Sequence, residues 1–180
     1  MITNAYRLLC SLRNNGTVGN TFPAKTIKDY TGTSYNINTS GQASQVPYFN
    51  GGVFQGVNIG AENGTGMIGI YIGTGGTAPT PDDYTLESPL TSSSVSRTSG
   101  VSNASAILDE NNNVIGVRRM ITYQNITSNN IVVREIGTFW QVFYSGSSIT
   151  KLFLIERTVL DEPVTLEPNG TITVAFDVTY

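Results

Sequence analysis

Residues 73–78, Gly-Thr-Gly-Gly-Thr-Ala, have the glycine spacing of a dinucleotide-binding loop. In such a loop the glycines form a tight turn after a strand, and the turn opens into a helix whose N-terminus holds the pyrophosphate. An apolar run at residues 67–72 supplies the strand, but Pro79 and Pro81 follow the loop. Because a residue before proline is pushed out of the helical region, the required helix cannot begin there. We therefore predict a turn that binds no nucleotide, and we expect no cofactor.

A second candidate is the polar run at residues 109–113, Asp-Glu-Asn-Asn-Asn, which places oxygen ligands at alternating positions as a calcium loop does. The EF-hand pattern then requires Gly at its sixth position and Glu at its twelfth, whereas Val114 and Met120 stand there. A polar hairpin turn between two apolar segments is the favoured interpretation, and we expect no metal site.

The titratable side chains form no recognisable catalytic set. The chain contains no histidine, which removes Ser-His-Asp and Cys-His catalysis and most zinc sites. Asp82 and Asp83 are adjacent, so in extended structure they point to opposite sides and suit a cap or a turn. Glu135, beside Arg134, is interpreted as a partly buried, paired carboxylate with a structural role. A glycosidase needs only two carboxylates, but no aromatic-rich sugar cleft is apparent, so we predict no enzyme and no catalytic residues.

Composition limits the partners. The 180 residues fit one domain, and 10 Lys and Arg stand against 13 Asp and Glu, which gives no basic surface for nucleic acid. The one adjacent basic pair, Arg118-Arg119, is interpreted as a solvated strand face or an interface contact. No apolar run reaches the length of a bilayer span and no signal peptide is apparent, so we expect no membrane partner. Cys10 is the single cysteine, so no intrachain disulfide is expected.

Strand patterns dominate the second half of the chain. Apolar or alternating runs, joined by short turns, predict an antiparallel β-sandwich with strands at residues 67–72, 114–123, 131–139, 152–159 and 171–178. Asn169-Gly170 lies where a turn before the last strand needs positive φ. In that strand polar residues alternate with apolar ones that are expected to face the core, namely Ile172, Val174, Phe176 and Val178.

The first third has a different character. Asn4 is placed to cap a short helix within the first dozen residues, and Asn14-Asn15-Gly16 would end it. From there to Gly66 the chain is rich in glycine and poor in periodicity, which favours short strands mixed with an arm that becomes ordered against a neighbouring subunit. We thus divide the chain into residues 1–66, the helix and glycine-rich arm, and residues 67–180, the sandwich core, expected to fold as one unit.

Three blocks of the second half resemble, in this order, a pattern of tailed-phage virion proteins. In residues 67–87 an apolar strand runs into Gly-Thr-Gly, then Ala-Pro-Thr, an acidic residue and a leucine. Residues 131–139 read Ile-Val-Val-Arg-Glu-Ile-Gly-Thr-Phe. An arginine-containing strand at residues 154–159 and a proline-glycine hairpin at residues 164–171 complete the set.

The resemblance implies a non-enzymatic virion component of the tail-fibre, collar or head-fibre type. Such a protein assembles in the host cytoplasm, and its partners are copies of itself and other virion proteins. The long segment from Asn14 to Gly66, poor in periodicity, separately predicts self-association through interfaces on the scale of about 1,000 Å² or more. The alternative is a carbohydrate-binding module of a host-recognition protein. That module would present exposed aromatic side chains, such as Tyr84, Trp140 or Tyr144, to a host-surface glycan.

Overall fold

The described part of the chain is antiparallel β-structure. The structure, a computed structural model, describes residues 1–4, 25–37, 69–97, 103–143 and 150–179. Its strands are β1 (Lys25–Lys28), β2 (Ser34–Ile37), β3 (Gly69–Gly73), β4 (Val95–Arg97), β5 (Asn103–Leu108), β6 (Val114–Asn125), β7 (Ile131–Phe143), β8 (Thr150–Leu166) and β9 (Thr171–Thr179). The five predicted strands are confirmed as β3, β6, β7, β8 and β9. The predicted N-terminal helix lies, beyond Asn4, outside the described residues.

The strands form three sheets within the described ranges. The β1–β2 hairpin forms a two-stranded sheet of its own, and a three-stranded sheet has the order β3-β7-β8. In the four-stranded sheet, β6 pairs with β9 along one edge and with β5 and then β4 along the other. All these pairs are antiparallel. In this part of the chain, no helix has the length and apolarity of a membrane span.

The polar hairpin predicted at residues 109–113 is confirmed as the turn between β5 and β6. One carboxylate oxygen of Asp109 accepts hydrogen bonds from the backbone N–H groups of Asn111 and Asn113, each at 2.8 Å. Asn112 takes the left-handed conformation, with φ of 62°, which asparagine tolerates better than most residues. Asp29 closes the β1–β2 turn in the same way, so both hairpins rest on an aspartate that satisfies the backbone of its own turn.

The prediction of a proline-glycine hairpin is correct for the turn and wrong for the pairing of the two strands that flank it. Asn169 has φ of 62°, and the N–H of Gly170 donates to the carbonyl of Glu167 at 2.8 Å. However, β8 pairs with β7 while β9 pairs with β6, so the turn crosses from one sheet to the other. Two backbone hydrogen bonds hold the turn beside Asn125 at the end of β6 and so direct the chain to the other sheet. The N–H of Asn169 donates to the carbonyl of Asn125 at 3.0 Å, and the N–H of Asn125 donates to the carbonyl of Gly170 at 2.9 Å.

Among the described strands, three connections cross between the two larger sheets, and Asn125 joins two of them, this turn and the connection from β6 to β7. Its side chain is fully buried. The side-chain amide donates to the carbonyls of Asn129 at 2.8 Å and Leu166 at 2.9 Å, and its oxygen accepts from the N–H of Thr127 at 2.9 Å. One satisfied polar side chain thus holds both crossings at the same end of the fold.

The main hydrophobic cluster draws on both larger sheets. Its buried members are Ile70, Ile72, Val95, Ile121, Tyr123, Ile131, Val133, Leu166 and Val174. Within it the Tyr123 hydroxyl donates to the carbonyl of Ile70 at 2.6 Å, a buried bond that ties β6 to β3. Burial raises the pKa of Tyr123 to about 12, so this hydroxyl keeps its proton at neutral pH.

The last strand confirms the predicted face as far as it is described. Val174 is buried and Ile172 is half-buried, whereas Thr171 and Thr173 are exposed. The side chains at the two other predicted core positions, 176 and 178, lie outside the described residues.

Truncation of Val174 tests this assignment of faces. We expect Val174→Ala to lower the free energy of unfolding by about 2 kcal/mol, because it deletes two buried methyl groups and leaves a small cavity. Thr173→Ala, on the exposed face, is expected to cost less than about 0.5 kcal/mol. Urea denaturation of the two variants makes the comparison, and equal losses would mean that both faces of β9 are covered.

The outer edge of β8, opposite β7, carries short additional pairings. Ile2 forms an antiparallel bridge with Glu156, and the N–H of Thr3 donates to the carbonyl of Ile155 at 3.0 Å. Farther along the same strand, the carbonyl of Leu152 accepts the N–H of Tyr30 from the β1–β2 turn at 2.9 Å. Both described pieces of the N-terminal third therefore lie against β8.

Candidate functional site

Residues from three separate segments of the chain, 67–87, 131–139 and 154–159, meet at a buried ion pair between neighbouring strands. Glu135 on β7 is fully buried and Arg157 on β8 is 3% exposed. The guanidinium Nε donates to one Glu135 oxygen at 2.8 Å. The loop that follows β3, residues 74–94, closes over this pair. We refer to the pair and the loop residues that bind it as the Glu135–Arg157 cluster.

The Glu135 carboxylate binds backbone N–H groups of the loop. One carboxylate oxygen accepts the N–H groups of Gly75 at 3.1 Å and Ser88 at 2.7 Å, and the other accepts the N–H of Glu87 at 3.0 Å besides Arg157. A carboxylate has about four lone-pair sites. Glu135 therefore uses three of these sites to hold the loop, at Gly75 and at residues 87–88, and the fourth to bind Arg157.

Arg157 binds side chains of the loop. Its Nη1 donates to Asp83 at 2.8 Å, and its Nη2 lies 3.4 Å from Glu87 and 3.5 Å from the Thr77 hydroxyl. The planar guanidinium thus faces three carboxylates in different directions, as its fixed fork of donors allows. A lysine in this position could not make the same set of contacts.

Three glycines let the backbone of β3, of the loop and of β7 lie in close contact with neighbouring side chains. A Cβ on Gly73 would lie 2.5 Å from Glu135 Oε1 and 2.6 Å from the Ser88 carbonyl, and one on Gly75 would lie 2.6 Å from the same Glu135 oxygen. On β7, a Cβ on Gly137 would lie 2.7 Å from Leu86, which is itself buried. Gly73 and Gly75 of the motif are therefore required by their contacts with protein atoms.

The charges stabilise the ionised form of the loop carboxylates. Burial alone would raise the pKa of Asp83, but hydrogen bonds from Arg157 and Thr80 and the nearby positive charge hold it below its ordinary value of 3.8. Hydrogen bonds from Thr77 lower the pKa of Glu87 in the same way. Both carboxylates therefore remain charged partners of Arg157 well below neutral pH.

This arrangement makes the hold on the loop sensitive to acid. A group whose pKa is lowered by folding contributes stability above its ordinary pKa, and that stability is lost as the pH falls through the lowered value. We expect Asp83→Asn to cost about 1–2 kcal/mol at pH 7, where it removes a charge-assisted bond to Arg157. The difference from the unaltered chain should begin to shrink when urea denaturation is repeated below pH 3.8, the ordinary pKa that Asp83 has in the unfolded chain, and should vanish once the pH is below the lowered pKa of folded Asp83. A difference that stays constant with pH would contradict this assignment.

The cluster is built to hold structure rather than to exchange protons. Every oxygen of Glu135 and every nitrogen of Arg157 is engaged with the protein. A general acid or base must have a partner position free for substrate. Within the described residues, no group of three or more His, Cys, Asp or Glu side chains is arranged to hold a metal ion.

Of the other candidates of the sequence, residues 73–78 and Asp83 belong to the Glu135–Arg157 cluster, whereas Asp82 and Arg118 bind elsewhere. Residues 73–78 do not open into a helix, and Gly75 directs its N–H to Glu135. Asp83 binds Thr80 within its own turn, as expected, while Asp82 points away and accepts from Asn4 at 2.9 Å. Arg118 lies exposed and forms a two-bond pair with Asp177 across β6 and β9, which agrees with a solvated strand face.

The aromatic residues considered for glycan binding are only partly described. Tyr84 is half-buried, because Gly32 lies against its ring and the Lys28 ammonium sits 5.1 Å from its centroid. The Trp140 side chain and all of Tyr144 lie outside the described residues.

Sequence reasoning identified Glu135 as a buried, paired carboxylate but associated it with Arg134, and Arg157 was missed as its partner. Adjacent residues of a strand point to opposite faces, so Arg134, which is exposed, cannot reach the same site. In the sequence, an arginine among the apolar residues of β8 was the available signal that a buried acid has its partner there.

Comparison of the chain with family models, with curated proteins and with solved structures finds no match.

Proposed function

We propose that this chain is a non-enzymatic structural component of a tailed-phage virion, assembled in several copies as a collar, tail or head-fibre element. One observation carries the proposal. The three sequence blocks that resemble virion proteins converge on the Glu135–Arg157 cluster, although they are separated along the chain. Each block therefore contributes at least one residue to a single architectural unit, while the turn at residues 164–171 lies outside it.

The chemistry of that unit supports a scaffold. Its charged groups are saturated by one another and by backbone N–H groups, and its glycines serve close packing. A buried pair of this kind specifies one arrangement of a loop more than it adds net stability. Such a defined loop suits a part that must present the same surface in every copy.

We further propose that the core is a β-sandwich. The shared hydrophobic cluster, the Tyr123–Ile70 bond and the two crossings tied by Asn125 support packing of the three-stranded sheet on the four-stranded sheet. The carbohydrate-binding alternative gains no comparable support, since the one described aromatic among its three candidates, Tyr84, is partly covered.

Loss of the chain from a particle tests the function. Disrupting its coding sequence in the genome that carries it should yield particles that lack a defined collar, tail or fibre feature in electron micrographs, and supplying the chain in trans should restore that feature. Particles of unchanged form, with full infectivity, would overturn the proposal. A normal particle with weakened adsorption that a free sugar reproduces would favour the glycan-binding alternative.

A further inference from the structure

Strand β9 is a long edge strand with a regular ladder on one side only. It has nine residues and pairs with β6 from Thr171 to Thr179 without a register shift. Among the described residues, no backbone group bonds to its other edge. An unpaired strand edge presents a row of N–H and C=O groups to any chain that can extend the sheet.

The other edges of the two larger sheets are partly covered or interrupted. Residues 2 and 3 and the Tyr30 N–H lie along β8, and the segment of residues 88–90 bonds to the end of β3. The edge opposite β9 is divided between β4 and β5, of three and six residues, and β5 carries a bulge. Within the described ranges, β9 alone offers a long and unbroken edge.

The sequence of β9 also lacks the usual protection against pairing. Edge strands are commonly protected by lysine, proline or a bulge. The strand, Thr-Ile-Thr-Val-Ala-Phe-Asp-Val-Thr, contains none of these. Its single charge, Asp177, is neutralised by Arg118 through bonds of 2.8 and 2.7 Å.

We infer that β9 is a self-association site at which two copies of this chain pair their β9 strands antiparallel about a two-fold axis. The pairing joins the two four-stranded sheets into one continuous sheet of eight strands. This inference rests on the proposed multi-copy role and names the surface through which copies meet.

The register of the pair follows from the strand itself. Residues opposite each other must project to the same face, so a symmetric pair is centred on a residue and not between two residues. A centre at Ala175 overlaps all nine residues, whereas a centre one residue to either side leaves seven, residues 171–177 or 173–179. With Ala175 at the axis, Asp177 of each copy faces Thr173 of the other, and no like charges are opposed.

Charge substitutions at the axis test the pairing in solution. The unaltered chain at high micromolar concentration should have twice its 19.3 kDa mass by light scattering. Ala175→Lys should return the mass to that of one chain, because it places two ammonium groups opposite each other while altering an exposed side chain. Mixing Ala175→Lys with Ala175→Glu should restore the doubled mass. Thr173→Lys, which faces Asp177 of the other copy, should remain dimeric.

A disulfide test reads the register independently. In a Cys10→Ser background, Ala175→Cys should form a covalent dimer on mild oxidation. Thr173→Cys should not, because the two Thr173 positions lie about 13 Å apart along the ladder, beyond disulfide reach. A monomeric unaltered chain, an Ala175→Lys variant as dimeric as its parent, or cross-linking at position 173 would overturn the inference. A monomeric chain that is nonetheless found in particles would overturn this pairing alone, whereas a β9 dimer absent from particles would overturn the proposed function alone.

Discussion

Replacement of Arg157 by methionine is expected to lower the free energy of unfolding by about 3–5 kcal/mol, the range for breaking a buried ion pair by removing one partner. The physical reason is the charge that remains. Glu135 is fully buried, and without the guanidinium its carboxylate and those of Asp83 and Glu87 lose the cation they share. Urea denaturation monitored by the fluorescence of Trp140 measures the loss.

Arg118→Met is the matched control. It removes an arginine of similar bond geometry from an exposed pair, and screening by water makes such pairs contribute little. The double variant Glu135→Gln with Arg157→Met should recover part of the loss, since the uncompensated buried charge is gone. Equal effects of Arg157→Met and Arg118→Met would show that burial of the Glu135–Arg157 cluster has no energetic consequence.

Gly73→Ala is expected to be the next most damaging change, at about 2–3 kcal/mol. Its Cβ would meet both the buried Glu135 carboxylate at 2.5 Å and the Ser88 carbonyl at 2.6 Å. Neither neighbour can withdraw, because the Glu135 oxygen accepts the Ser88 N–H and the Ser88 carbonyl accepts the Thr74 N–H at 2.9 Å. Thermal unfolding of the variant should show a correspondingly lowered midpoint.

The same motif supplies the control. Gly76→Ala adds a Cβ whose nearest neighbour is Arg134 Cδ at 3.7 Å, an ordinary contact on an exposed residue, so we expect a change within about 0.5 kcal/mol. A dinucleotide-binding loop would respond differently, because both glycines would then matter for ligand approach and neither for the stability of the free protein. A tolerated Gly73→Ala would contradict the packing described for the loop.

The sequence predicted the positions of the strands better than it predicted which strands pair with one another. Alternation in β9 identifies which of its faces is buried, because the side chains of a strand alternate with a period of two. The apolar run at residues 67–72 indicates a buried strand and no particular face. That period contains no information about which strand lies alongside. The turn at Asn169 was predicted with its positive φ, but the crossing to β6 depends on Asn125, a residue more than forty positions earlier in the chain.

The site was predictable only in part for the same reason. The glycine motif and its two prolines excluded a helix, which the structure confirms. Nothing local in that motif indicates Glu135 or Arg157, which lie 60 or more residues away along the chain and come close through sheet pairing. Long-range pairing is set by the whole core, so a buried acid can be recognised from its strand while its partner cannot.

Quantification of the chain in gradient-purified particles tests the central claim most directly. A structural component is present at a fixed number of copies for each copy of the major head protein, and it stays bound through repeated washing in high salt. We expect such a constant ratio, corresponding to several copies per particle, in independent preparations. A ratio that varies between preparations, or a chain that washes off and stays with the soluble lysate, would contradict a structural role in the virion.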